Sequence, residues 1–82
     1  MHLATRPPIE RIQAIDHAVS RRAWPNCRTL ARDLEVTRRT ILRDIDFMRR
    51  LGAPIEFDPL RGGYFYSRPY SLFAVSRSCL IA

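Results

Sequence analysis

The stretch TLARDLEVTRRTILRDI, residues 29–45, decides the fold because it holds two helical patterns with a short break between them. Asn26 and Thr37 are suited to begin the two helices, since their side-chain oxygens accept hydrogen bonds from backbone N–H groups of the first turn. Apolar residues recur at helical spacing behind each cap, namely Leu30, Ala31 and Leu34 and then Ile41, Ile45 and Met48. The break LEV at residues 34–36 is therefore predicted to be a tight turn between two helices.

Two helices joined by about three residues are typical of a helix-turn-helix motif. The apolar contacts that such a motif needs between its helices are supplied by Leu30, Leu34, Val36 and Ile41. Ala31 provides the small side chain that lets the helices cross closely. Glu35 departs from the pattern, since many such turns have glycine there and a positive φ is uncommon for other residues. We therefore expect this turn to follow a slightly different path.

The second helix of the motif is predicted over about residues 38–51, with Gly52 as its stop signal. At about 100° per residue, one broad side is apolar and is expected to be buried. That side contains Ile41, Leu42, Ile45, Met48 and Leu51. The opposite stripe contains Arg39, Arg43, Asp46 and Arg50, and the last two are expected to pair with each other. Asp44 falls on the flank of the buried side, where we expect it to bind an arginine of an earlier helix.

The segments that flank the motif complete a small domain. An amphipathic helix is predicted over about residues 8–21, with Ile9, Ile12, Ile15 and Val19 on its buried face and Arg11, Gln13 and Asp16 on its wet side. It ends before Pro25, and Trp24 is expected to be a core anchor. Beyond the motif, two short strands around the turn DPLRGG predict a hairpin with Arg61 near its tip. The sequence thus predicts a winged helix-turn-helix, an α+β fold that is mainly α, with three helices and a two-stranded β-hairpin wing.

The composition points to an anionic partner. The chain has 82 residues and a formal net charge of +6, and all 14 of its basic residues are arginine. This balance favours nucleic acid first and a membrane surface second. The exclusive use of arginine suits phosphate and guanine recognition, although a GC-rich genome explains it equally well. The length favours one domain, at residues 8–67, between a flexible arm at 1–7 and a tail or truncated linker at 68–82.

Other function classes find little support in the sequence. Cys27 and Cys79 form no zinc-ligand cluster, so no metal is expected. The chain contains no carboxylate pair, nucleophile elbow or phosphate loop, and we expect neither a cofactor nor an enzymatic activity. It also lacks a signal peptide and an apolar run of membrane-spanning length. We therefore expect a cytoplasmic protein that associates with the nucleoid through DNA.

The spacing of the motif predicts which residues contact double-stranded DNA. In helix-turn-helix proteins the second helix enters the major groove with its N-terminal residues near base edges. This places Arg38, Arg39, Thr40 and Arg43 at bases or adjacent phosphates, and Thr37 beside a phosphate at the helix N-terminus. Arg61, at the tip of the wing, is expected to contact the DNA backbone or the minor groove.

Residues 29–66, TLARDLEVTRRTILRDIDFMRRLGAPIEFDPLRGGYFY, resemble the N-terminal winged helix-turn-helix of the WYL-domain transcriptional regulators, relatives of the DeoR-type repressors. The matching positions are Leu30-Ala31, Leu34, Val36, Arg39-Thr40-Ile41, Arg43-Asp44-Ile45, Gly52, Pro54-Ile55 and Gly62-Gly63-Tyr64. Thr37 stands where serine is usual in that family. The resemblance implies a bacterial DNA-binding repressor or activator.

Members of that family continue through a linker into a large effector-sensing domain, whereas this chain stops at Ala82. A fragment, a truncated product and a stand-alone DNA-binding domain are all compatible with this difference. A homodimer is expected only with the missing C-terminal domain. Two other functions stay open: a winged helix that binds another protein, and a regulatory domain severed from a larger sensor or enzyme.

Overall fold

The structure, a computed structural model, describes residues 8–70. It contains helices α1 (Pro8–Ser20), α2 (Cys27–Leu34) and α3 (Arg38–Arg50), followed by strands β1 (Ile55–Asp58) and β2 (Gly63–Tyr66). The two strands pair antiparallel, so the predicted fold class of a winged helix-turn-helix is confirmed. The expected arm at residues 1–7 and most of the expected tail lie outside the described residues.

Helix α1 buries a different face from the predicted one at its N-terminal end. Ile12, Ile15 and Val19 are buried as expected, but Ile9 is 58% exposed and Arg11 is buried. The reason is geometric, because steps of three residues rotate backwards by about 60° each at 100° per residue. Ile9 is thereby carried away from the core side of α1, whereas Arg11 comes close to the side of Ile15.

Helix α3 is buried along a narrower side than predicted. Its buried residues are Ile41, Asp44, Ile45 and Met48, whereas Leu42 and Leu51 are 52% and 46% exposed. Leu42 points about 110° away from the centre of the buried residues at 100° per residue. Leu51 is the C-cap residue, beyond the last turn of the helix. The expectation that both leucines are core residues is therefore wrong.

The turn between α2 and α3 follows the left-handed path that glycine usually takes. Glu35 adopts φ 58° and ψ 43°, so the expected departure from the usual path is wrong. The left-handed conformation costs about 1 to 2 kcal/mol for a residue with a Cβ. Backbone hydrogen bonds offset this cost, since the N–H of Glu35 donates to Arg32 at 3.2 Å and that of Val36 to Ala31 at 3.0 Å.

The wing is built on close backbone contacts. In its turn, the carboxylate of Asp58 accepts hydrogen bonds from the N–H groups of Leu60 at 2.9 Å and Arg61 at 3.3 Å. On the other edge of β2, the N–H of Tyr64 donates to the carbonyl of Pro25 at 2.7 Å. A Cβ at Gly63 would lie 2.0 Å from the carbonyl oxygen of Trp24, so only glycine fits at this position.

The core lies where the three helices meet the sheet. It contains Ile12, Ile15, Val19, Leu30, Ala31, Leu34, Ile41, Ile45, Met48, Ala53, Ile55 and Tyr64. Trp24 does not belong to it, contrary to expectation, and is half-buried at the surface with a left-handed φ of 53°. Its ring packs against that of Phe65, with 5.5 Å between the centroids. Trp24 therefore borders the wing instead of lying beneath the helix junction.

Replacement of Ile41 by alanine is predicted to cost about 2 to 5 kcal/mol of unfolding free energy, because this side chain is fully buried in the helix junction. The matched control is Leu42→Ala, one residue further along the same helix and half exposed. It is predicted to cost less than about 1 kcal/mol. Thermal melts followed by circular dichroism measure both, and equal losses for the two variants would contradict the observed rotation of α3.

Replacement of Gly63 by alanine is predicted to cost at least about 2 kcal/mol, because the new methyl group forces β2 away from Trp24. Gly62→Asn is the control, since Gly62 has a φ of 70° but nothing within 4 Å of its Cβ position. Asparagine tolerates that conformation, and its cost is predicted to be below about 1 kcal/mol. Urea unfolding compares the two, and a Gly63→Ala variant as stable as Gly62→Asn would argue against the close approach.

Candidate nucleic-acid interface

The start of α3 presents two hydroxyl groups to the surface. Thr37 caps the helix, and its Oγ1 accepts a hydrogen bond from the N–H of Thr40 at 3.2 Å, which confirms the predicted N-cap. The two hydroxyl oxygens lie 3.1 Å apart, and either can donate to the other. One hydroxyl proton of the pair is therefore left to donate elsewhere, at the helix end where anions are favoured.

Arg39 and Arg43 expose their charges on α3 without protein partners among residues 8–70. Both side chains are exposed and make no hydrogen bond or ion pair within the described part of the chain. The other arginines of the helix include two that are engaged. Arg50 binds Asp46 at 2.5 Å, as predicted, and Arg49 donates to the carbonyl of Ile55 at 3.1 Å.

The carboxylate of Asp44 faces inward and binds Arg11 of α1. Nε of Arg11 lies 2.7 Å from Oδ2, and its Nη2 lies 3.1 Å from Oδ1, so the contact is bidentate. This confirms the prediction that Asp44 binds an arginine of an earlier helix. The hydrogen bond to Asp44 raises the pKa of Arg11, against the opposing effect of burial. The negative charge of Asp44 is thus neutralised on the inner side of α3.

Three of the predicted DNA-binding residues line one shallow pocket at the start of α3. Its volume is about 460 Å³, and its lining residues are Arg11, Glu35, Val36, Thr37, Thr40, Arg43 and Asp44. The structure therefore brings Thr37, Thr40 and Arg43 together. Arg38 and Arg39 lie on the same first turn of α3 and are exposed, but they do not line this pocket.

The wing arginine is held by an aromatic ring that sequence reasoning had assigned to the core. The guanidinium carbon of Arg61 lies 4.5 Å from the centroid of the Trp24 ring, and its Nε lies 3.8 Å from Asp58. The Arg61 side chain is still 62% exposed. A cation–π contact of this kind restricts a guanidinium without neutralising it. Trp24 and Arg61 are far apart along the chain, so no local sequence signal indicates their contact.

A thiol joins the first turns of α2 and α3. Sγ of Cys27 donates to the carbonyl oxygen of Arg38 at 3.3 Å. Burial raises the pKa of Cys27, which keeps the thiol protonated and able to donate this bond. Asn26 caps α2 as predicted, and its Oδ1 accepts from the N–H of Thr29 at 2.8 Å. The thiol contact thus ties the start of α3 to the start of α2, which its own cap holds in place.

Two side-chain hydrogen bonds attach the wing to the helices. The hydroxyl of Tyr66 in β2 donates to Asp16 of α1 at 2.6 Å, and burial, followed by this bond, raises the pKa of Tyr66. On the other strand, the carbonyl of Ile55 accepts from Arg49 of α3. The wing is thereby held to α1 through β2 and to α3 through β1.

Comparison with protein families assigns the central part of the chain. Residues 26–65 match a family model described as HTH domain. This segment is a helix-turn-helix domain. Such a domain implies DNA binding in transcription regulation, with DNA as the partner, and domains of this family are typically non-enzymatic. No curated protein and no solved structure shows significant similarity to the chain.

Two absences hold for residues 8–70, the part of the chain that the structure describes. No helix in that part is both long and apolar enough to cross a membrane. The same residues contain no group of His, Cys, Asp and Glu side chains that is arranged to hold a metal ion.

Replacement of Asp44 by alanine is predicted to cost about 3 to 5 kcal/mol, because it leaves the buried guanidinium of Arg11 without its bidentate carboxylate. The matched control is Asp46→Ala, which removes an exposed carboxylate of the same helix and is predicted to cost less than about 1 kcal/mol. Chemical denaturation measures both. The double replacement Arg11→Met with Asp44→Leu is predicted to regain most of the loss. Equal stability of Asp44→Ala and Asp46→Ala would contradict a structural role for the pair.

Proposed function

We propose that this chain binds double-stranded DNA in a sequence-specific way as part of a bacterial transcription regulator. In this proposal α3 lies in the major groove, and the wing contacts the DNA backbone or the minor groove. One observation carries it: Arg39 and Arg43 are exposed and unpaired in the described part of the chain, while the adjacent Asp44 is turned inward onto Arg11. The carboxylate on the outer face of α3, that of Asp46, is bound by Arg50, so Arg39 and Arg43 keep their charges available.

The proposed contacts of α3 are of two kinds, namely contacts to base edges, which determine sequence preference, and contacts to phosphates, which position the helix. Arg43 lies in the second turn of the helix, where a side chain reaches base edges and a guanidinium can bind a guanine through two hydrogen bonds. Arg38 and Arg39 lie in the first turn, near bases or the adjacent phosphates. Thr37 and Thr40 share one free hydroxyl proton, which suits a phosphate oxygen at the N-terminus of α3.

The proposed wing contact is made by Arg61. Its guanidinium is already restricted by Trp24 and Asp58, so less conformational entropy is lost when it binds a phosphate. This arrangement supports an anchoring role on the backbone or in the minor groove, because neither position requires a particular base.

The finer assignment to the WYL-domain and DeoR-type regulators is also part of this proposal. Its support is the run of matching residues between positions 29 and 66, among them Arg43-Asp44 and Gly62-Gly63. In this structure the members of each pair have distinct tasks. Arg43 is exposed while Asp44 binds Arg11, and Gly62 shapes the turn while Gly63 makes room for Trp24.

The exposed side chains of Leu42 and Phe47 on α3 favour a second candidate, a winged helix that binds another protein. Charged contacts to an acidic protein would then replace contacts to DNA. The two candidates differ in a simple measurement, because a protein-binding helix would bind DNA weakly and without regard to sequence. A sequence preference in a randomised-site selection therefore decides for DNA.

Replacement of Arg43 by alanine is predicted to cost about 1 to 3 kcal/mol of DNA-binding free energy and to relax the preference at one base pair. Arg61→Ala is predicted to weaken binding to all sequences alike and to reduce the slope of log K against log salt by about one. The two effects should add to within about 0.5 kcal/mol. A randomised-site selection with each variant, and titrations of one fixed site at several salt concentrations, measure these quantities.

Arg32→Ala serves as the control, since Arg32 is exposed on α2 and pairs with Asp33. Its preferred sequence should equal that of the parent chain. If Arg43→Ala lowers the affinity evenly and keeps the preferred sequence, Arg43 is a phosphate anchor and Arg39 becomes the leading base reader. If no variant and no parent chain selects a sequence, the proposed function is wrong.

A further inference from the structure

A groove of about 600 Å³ lies at the end of α1, beside the segment before α2 and against β2. Four aromatic rings line it, and they belong to Trp24, Phe65, Tyr66 and Tyr70. They are arranged in two contacting pairs, with 5.5 Å between the ring centroids of Trp24 and Phe65 and 5.2 Å between those of Tyr66 and Tyr70. The walls therefore offer ring faces and edges to a bound molecule.

The same groove is lined by three arginines, Arg22, Arg61 and Arg68, and by no acidic residue of the described part of the chain. Arg22 and Arg68 are exposed, and their side chains make no hydrogen bond or ion pair with the described residues. Arg61 forms an ion pair with Asp58, in which Nε lies 3.8 Å from the carboxylate. The groove thus carries positive charge that the protein does not fully compensate.

The backbone that borders the groove is held in an unfavourable conformation. Arg22 and Trp24 have left-handed φ values of 60° and 53°, although neither is glycine. Such conformations persist only where the surrounding structure determines them, and they are common at ligand-binding sites. Here they bring the ring of Trp24 under Arg61, so that an aromatic face and a cation occupy one wall.

From these observations we infer that the groove binds a small aromatic molecule that carries an anionic group. Its volume falls in the range of about 300 to 1,000 Å³ that is usual for small-molecule sites. The ring would pack among the aromatic side chains, and the anion would receive charge-assisted hydrogen bonds from the arginines. A single-stranded nucleic acid also stacks on aromatic residues. The volume of about 600 Å³ matches a small molecule better than an extended strand.

The test uses the full 82-residue chain without DNA, so that it is independent of the proposed function. The probes are 2-naphthoate, its neutral analogue 2-naphthamide, and acetate, which has the charge but no ring. Calorimetry is expected to give a dissociation constant below about 1 mM for naphthoate and at least about tenfold weaker binding for the other two. Trp24 is the one tryptophan of the chain, so its indole N–H resonance reports binding at this groove by NMR.

Arg68→Gln is expected to weaken naphthoate binding by about fivefold or more, because it removes one cation from the groove. Arg32→Gln, on the exposed face of α2, is the matched control and should bind like the parent. Circular dichroism melts of both variants verify that they are folded. Three results would each overturn the inference: equal binding of naphthoate and naphthamide, an unshifted Trp24 resonance, or an unchanged affinity in Arg68→Gln. Preferential binding of a short oligothymidylate at the same resonance would also overturn it and assign the groove to single strands.

Discussion

The orientation of α3 depends on the buried ion pair between Arg11 and Asp44. Removal of both charges from water costs several kcal/mol per ion, and only a bidentate geometry with good hydrogen bonds compensates for it. The two bonds from Arg11 to Asp44, of 2.7 and 3.1 Å, meet that requirement. They can form together only when α3 has one particular rotation about its axis relative to α1. Because Asp44 must face Arg11, its neighbour Arg43 must face outward. The main effect of the pair is therefore to determine which residues of α3 face the solvent. Its contribution to stability is small, since apolar residues of similar volume would pack there at least as well.

Contacts between neighbours in the sequence were predicted correctly, whereas several features that depend on distant residues were not. Asp44 is an exception, since it was expected to bind an arginine of an earlier helix and does so. The caps at Asn26 and Thr37 and the Asp46–Arg50 pair involve residues within four positions of each other, and the structure confirms them. The burial of Arg11 depends on Asp44, 33 residues away, and helical periodicity alone assigned it to the solvent. The path of Glu35 is a further example. Its intrinsic preference argued against a left-handed turn, but the bonds and packing of two helices outweigh a cost of about 1 to 2 kcal/mol.

The wing shows the same limit at the candidate site. The run Gly62-Gly63 indicated a turn, and Gly62 does adopt a positive φ of 70°. The need for glycine at position 63 arises instead from the carbonyl of Trp24, which the sequence does not place nearby. That approach also brings the Trp24 ring to Arg61. A residue expected in the core thus becomes the support for the proposed wing contact. Of the two glycines, only Gly63 is required by a close backbone approach, whereas Gly62 serves a left-handed turn position.

The arginines of this chain are equivalent in composition but not in the structure. Arg11 binds Asp44 within the core, Arg49 holds β1, and Arg50 is paired on the surface. Counterion release, which drives binding to a polyanion, requires cations that phosphates can reach and that carboxylates have not already neutralised. Within residues 8–70, the net charge therefore does not show how much positive charge a nucleic acid would meet at each part of the surface. On α3 the engaged arginines lie towards the C-terminal end, and Arg39 and Arg43 lie towards the N-terminal end. Arg39 lies in the first turn, where the helix backbone also favours anions, so charge and helix dipole act at the same place there.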